Sequence, residues 1–160
     1  MKKESRIFFS KFFIVVYLLA FLFAIYVFFA ISCAIGIVDG NSMSPTLNNG
    51  DVFIYTKESQ IHRLNVVAIR SKDTGETIVK RIIGLPNEQV CIRDGYIYIN
   101  GLQLSDVVTV YTDPGVCGAN YILGPNEYFV IGDNRGVSVD SRAFGAVTSM
   151  EILGVLMGDH

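Results

Sequence analysis

Histidine, cysteine and net charge are all scarce in this 160-residue chain, and each scarcity closes off a class of function. The three cysteines, Cys33, Cys91 and Cys117, form no CxxC pair and have no histidine close by, so neither a zinc site nor any other metal is expected. The two histidines are His62, in the polar connection Gln60-Ile61-His62-Arg63, and His160. Neither lies in a patch that pairs it with a reactive serine, which leaves a Ser-His-Asp triad with little support. A net charge of −2 without a long basic block gives nucleic acid nothing to bind. No repeat or low-complexity stretch interrupts the chain, and nothing in it calls for a cofactor. The length has room for one domain and one further element.

What is abundant is apolar surface, and it is unevenly spread. The mean hydropathy of +0.41 arises largely from residues 12–38, FFIVVYLLAFLFAIYVFFAISCAIGIV, which hold no charge. A helix needs roughly 20 apolar residues to cross the hydrocarbon core, and this run exceeds that. No polar face can be drawn on it, unlike a core helix. The apolar core of a cleaved signal peptide is only about 7–15 residues, so a retained transmembrane helix over 12–38 is the expectation. Lys2, Lys3, Arg6 and Lys11 precede the run, opposed by Glu4 alone, and Asp39 follows it. The positive-inside bias then leaves a basic tip, residues 1–11, in the cytoplasm and puts residues 39–160 outside, beside the lipid. A bridge between Cys91 and Cys117 is chemically permitted there, though neither spacing nor size demands it.

Beyond Asp51, short runs rich in Val, Ile, Tyr and Phe alternate with turn residues. Residues 52–55, 65–70, 77–83, 90–99 and 127–132 read as strands. Asn49-Gly50, Asp73-Thr74-Gly75, Asp94-Gly95 and Asn100-Gly101 punctuate them. Asp94-Gly95 is a hairpin signal, and the Asp73–Gly75 turn pairs 66–70 with 77–83. The expected fold is mainly β, with antiparallel sheets or a distorted barrel.

Three patches carry chemistry. In Gly40-Asn41-Ser42-Met43-Ser44-Pro45-Thr46-Leu47, a serine between a glycine turn and a proline can present its hydroxyl and a backbone N–H on one bend. Alone, such a stretch is more often a plain turn. Lys80 stands in Thr77-Ile78-Val79-Lys80-Arg81-Ile82-Ile83, where strand alternation gives it Ile78 and Ile82 as same-face neighbours. An ordinary lysine is neutral in only about one molecule in a few thousand at pH 7. Apolar packing disfavours the charged form, and a neutral amine can accept a hydroxyl proton. The plainer reading is a lysine guarding an edge strand. The third patch, 132–145, opens with Gly132-Asp133-Asn134-Arg135 and includes Ser138, Asp140 and Arg142. Asp140 and Arg142 suit a bidentate pair that fixes the loop, against the alternative of a solvated surface loop.

In this order, behind an apolar span, these blocks resemble the bacterial type I signal peptidases. The resemblance runs through Ser-Met-Ser-Pro-Thr-Leu, Gly50-Asp51, Lys80-Arg81-Ile82-Ile83-Gly84-Leu85-Pro86, Asp94-Gly95 with Tyr98-Ile99-Asn100-Gly101, and Gly132-Asp133-Asn134-Arg135 through Asp140-Ser141-Arg142. It implies that Ser42 attacks the scissile carbonyl while Lys80 serves as base and then acid. Ser138 would hold the amine, and Asp140 with Arg142 would support that loop. Some relatives place a second oxyanion hydroxyl two residues before the nucleophile, where this chain has Gly40, so the second donor is left open. Val38, Gly40, Met43, Leu47, Ile78 and Val79 would line shallow pockets for small residues, giving an Ala-x-Ala preference with the substrate added as a strand. The implied partners are secreted pre-proteins and membrane lipid. Two other readings have less support. A self-cleaving serine–lysine repressor would be soluble, and a non-catalytic membrane-tethered accessory for exported proteins would have no use for intact Ser42 and Lys80.

Overall fold

The computed structural model describes residues 2–57, 60–72, 74–105, 112–116 and 119–158, with side chains from Lys11 onward. The chain divides into two units, residues 1–34 and 35–160.

The first unit is the helix α1, Lys2–Ser32, whose sequence holds neither glycine nor proline. Its apolar part, Lys11–Ser32, is 22 residues long with a mean hydropathy of 2.9. At about 1.5 Å per residue that length matches the hydrocarbon thickness of a bilayer. The helix ends six residues before the expected 12–38 segment does. It stops at Ser32, and Cys33–Ile37 is strand β1. The cause is tertiary: Ile35 and Ile37 flank Gly36, where the Phe53 ring fills the space a side chain would need. Pairing with β2 (Val52–Thr56) replaces the helical hydrogen bonds.

The second unit is mainly antiparallel β, as expected. Its further strands are β3 (Val66–Arg70), β4 (Thr77–Gly84), β5 (Gln89–Arg93), β6 (Tyr96–Ile99), β7 (Leu102–Gln103), β8 (Tyr121–Ile122), β9 (Glu127–Ile131), β10 (Val147–Thr148) and β11 (Ile152–Leu156). One seven-stranded sheet runs β1-β2-β11-β3-β4-β9-β10, and a four-stranded sheet runs β7-β6-β5-β8. β3 and β4 pair as the turn spacing implies, with Val67 opposite Lys80 and Ile69 opposite Ile78, although Asp73 lies outside the described residues. So do Cys117 and His160. Asp94 and Gly95 both take positive φ, 52° and 83°, as a tight β5–β6 hairpin requires. The short strands β7, β8 and β10 carry too few residues for alternation to reveal them. β11 was not among the expected strands, and it lies between β2 and β3 in the sheet.

Three buried clusters hold this unit together. Val38, Met43, Leu47, Phe53, Val66, Ala68, Val79 and Leu156 form one. A second, Val67, Ile69, Ile82, Val130, Val147 and Val155 with Ile78 packed on it, covers the opposite face of β3 and β4. The third, around Ile83, Val90, Ile97 and Phe129, joins the two sheets. β4 is therefore a central strand with both faces covered, and every residue from Val79 to Gly84 is buried.

Candidate active site

Lys80 lies on β4 with the second cluster around it: Ile78 and Ile82 beside it on the strand and Val67 opposite. The edge-strand reading of this lysine is excluded, because β3 and β9 flank β4. Only 3 % of the residue is exposed. Its amine donates to the Ser42 hydroxyl at 2.8 Å and to the Val79 carbonyl at 3.0 Å. Burial lowers the amine's pKa below the ordinary 10.5, with the Asp140 carboxylate pulling the other way. The residue that sequence alternation set among isoleucines is thus a desolvated amine in contact with a half-buried serine hydroxyl.

Ser42 stands on the bend between β1 and β2. The bend is pinned by Asn134, whose backbone N–H donates to the Ser42 carbonyl at 3.0 Å and whose side chain donates to the Asn41 carbonyl at 3.1 Å. The Ser42 N–H donates to no described residue. Serine hydroxyl, free amide and buried amine are what acyl transfer needs: a nucleophile, a donor for the oxyanion and a base.

The loop after β9 supports this constellation; its charged residues Asp133, Arg135, Asp140 and Arg142 are buried, while Gly136, Val137 and Val139 are exposed. Arg142 clasps Asp140 with two hydrogen bonds, Nε to Oδ1 and Nη2 to Oδ2, both 2.8 Å. Asp140 Oδ2 also accepts the Gly132 N–H at 3.0 Å, and the aspartate caps the short helix α2 (Ser141–Phe144). Arg142 reaches on to the carbonyls of Arg135 and Ser138. Ser138 was expected to hold the lysine amine. Its hydroxyl is buried but has no hydrogen-bond partner among the described residues, and it abuts Gly132 together with the Ser42 carbonyl. A side chain at 132 would collide with both, which is why glycine stands there.

Of the six residues expected to touch substrate, Val38, Met43, Leu47 and Val79 share one buried cluster, next to the serine bend. Ile78 packs on the opposite face of β4, and Gly40 is half-buried at the start of the bend. His62 is exposed, its N–H donating to Asn65 Oδ1, and takes no part in the site.

A second ion pair had escaped the sequence reading. Arg81, the residue after Lys80, bonds Asp133 through Nε at 2.8 Å and through Nη2, with both side chains at most 1 % exposed. The Thr46 hydroxyl donates to the same carboxylate, and Arg81 Nη1 donates to the Leu64 carbonyl at 2.8 Å. The lysine strand, the serine bend and the supporting loop are tied together through this pair. The available signal was an arginine in a run of isoleucines, since a buried guanidinium must find a carboxylate.

Residues 7–157 match the family described as Signal peptidase, peptidase S26. Signal peptidase I V of Bacillus subtilis is 32 % identical over 137 aligned residues, spanning 74 % of this chain and 80 % of that protein. Signal peptidase I S of the same organism is 33 % identical and spans 96 % of this chain and 88 % of its own length. A crystal structure of a signal peptidase I from Enterococcus faecalis V583 superposes with a TM-score of 0.56 at 34 % identity, covering 62 % of this chain and 98 % of that one.

Proposed function

The chain belongs to the signal peptidase family, peptidase S26, and on that premise we propose that it is a membrane-bound serine endopeptidase cutting pre-proteins with a Ser42–Lys80 dyad. As a member of the family it is a peptidase that removes signal peptides from secreted pre-proteins.

The observation that carries the dyad is the 2.8 Å contact between Lys80 Nζ and Ser42 Oγ inside an apolar surround. A neutral amine takes the hydroxyl proton as Oγ adds to the scissile carbonyl. The Ser42 N–H receives the oxyanion that forms. The ammonium then returns the proton to the departing amine of the mature chain, leaving an acyl-enzyme on Ser42. Water, deprotonated by the same amine, adds to this ester, and the ammonium gives its proton to Ser42 Oγ as that oxygen leaves, restoring the neutral amine. Asp140 steadies the ammonium while it exists, and the unpartnered Ser138 hydroxyl is the group free to accept a hydrogen bond from it.

Val38, Met43, Leu47 and Val79 are nearly filled by their own packing, which suits shallow pockets and small residues such as alanine before the cut. Gly40 and Ile78 complete the substrate set in this reading. The helix Lys11–Ser32 anchors the enzyme, with residues 1–11 in the cytoplasm and 39–160 outside, following the basic residues ahead of the span. A pre-protein's own apolar segment brings its cleavage site to the same interface, so anchoring raises the effective concentration there.

The test is cleavage of a pre-protein in lipid vesicles by wild type, Ser42→Ala and Lys80→Ala. Each variant is expected to lose at least about a thousandfold in kcat, and the double variant little more, because the two groups act as one unit. Equal rates for all three would remove the protease reading.

A further inference from the structure

Gly40, two residues before Ser42, has φ of +90°, and nothing lies within 4 Å of where its side chain would stand. No neighbour fills the space beside its Cα, and glycine is the residue with most conformations to lose. One contact does hold it: its N–H donates to Asn49 Oδ1 at 2.8 Å. Asn49 sits in a turn that is itself tied down. The Asn48 N–H donates to Asp51 Oδ2 at 2.8 Å, the Ser44 hydroxyl to Asn48 Oδ1 at 3.0 Å, and the Gly50 N–H to the Val38 carbonyl at 2.9 Å. The segment 40–42 is thus gripped at its start by Asn49 and at its end by Asn134.

We propose that Asn49 is a positioning residue for the Ser42 backbone N–H, holding Gly40 so that this donor stays aimed at the oxyanion. The inference rests on the dyad reading above. It has two consequences. The Gly40 amide is committed to Asn49 and is not the second oxyanion donor in this arrangement. Asn49 also works, through the segment 40–42, on a donor used as the oxyanion forms, so its loss weakens transition-state binding more than substrate binding.

The experiment is steady-state cleavage of a fluorogenic peptide spanning a signal-peptide cleavage site, with the full chain in lipid vesicles. Asn49→Ala is expected to lower kcat about fivefold, the rate equivalent of one net hydrogen bond, with KM within about twofold. The rising limb of its pH–rate profile stays where it is in wild type, because Lys80 is untouched. Asn49→Asp keeps the acceptor oxygen and recovers most of the lost rate. Asn49 is exposed, so both variants fold and melt like wild type. An unchanged kcat in Asn49→Ala, a rise in KM alone, or an Asn49→Asp variant as slow as Asn49→Ala would each overturn the proposal. Ser42→Ala in the same assay separates the levels. If it is inactive while Asn49→Ala is fully active, only this inference fails; if Ser42→Ala still cleaves, the dyad reading falls with it.

Discussion

Removing the Asp133 carboxylate tests how the site is assembled. The side chains of Arg81 and Asp133 are at most 1 % exposed and joined by two hydrogen bonds, and the same carboxylate accepts from Thr46. Asp133→Ala takes the carboxylate from a guanidinium that stays inside the protein, where the Leu64 carbonyl and the Thr46 hydroxyl are among the groups it still bonds. Breaking one half of such a pair costs about 3–5 kcal/mol. Against a total stability of roughly 5–15 kcal/mol this is a large share, and it lowers the melting temperature on the order of 10–20 °C. The double variant Arg81→Met, Asp133→Leu buries no charge and regains most of the loss, to within about 2 kcal/mol of wild type. Its cleavage rate stays low, because Thr46 has no acceptor and the serine bend is no longer tied to β4. Calorimetry of the full chain in detergent micelles gives the stabilities, and the peptide assay gives the rates. An Asp133→Ala variant within 1 kcal/mol of wild type, or a double variant no more stable than the single one, would refute the argument.

Two further outcomes follow from the same geometry. In the proposed dyad, cleavage needs Lys80 neutral, so the rate rises as pH climbs through its folded pKa; burial lowers that pKa, so the midpoint lies below the ordinary 10.5. Val67→Ser, which puts a hydroxyl opposite the amine, moves the rising limb to higher pH, and a wild-type midpoint at or above 10.5 would mean the amine is solvated. Gly132→Ala places a methyl group against the Ser138 hydroxyl and the Ser42 carbonyl, costs about 1–3 kcal/mol by overpacking, and cuts kcat at least tenfold, which denaturation and the peptide assay read separately.

Much of this molecule was visible along the chain, and the limits are physical. Alternation on β4 separated Ile78, Lys80 and Ile82 from Val79, Arg81 and Ile83 because a strand's period of two survives any packing. The Asp94-Gly95 hairpin was legible because few residue pairs accept two positive φ values. The helix end was misjudged by six residues, since Cys33 to Val38 is as apolar as the span before it and only pairing with β2 distinguishes the two. The Asp140–Arg142 clasp was readable from two residues' separation. The Arg81–Asp133 pair was not, because its partners are 52 positions apart.

Local chemistry, which needs only neighbours in the chain, settled that this protein has a long uncharged run behind a basic start, a β-rich remainder, and a serine, a lysine and a charged loop worth suspecting. Whether Lys80 guards an edge or lies desolvated against Ser42 was decided only when β4 took its place between β3 and β9, with apolar layers on both faces. Burial and proximity belong to the packed assembly, and it is these two that lower the pKa of an ordinary ammonium and set it against a hydroxyl.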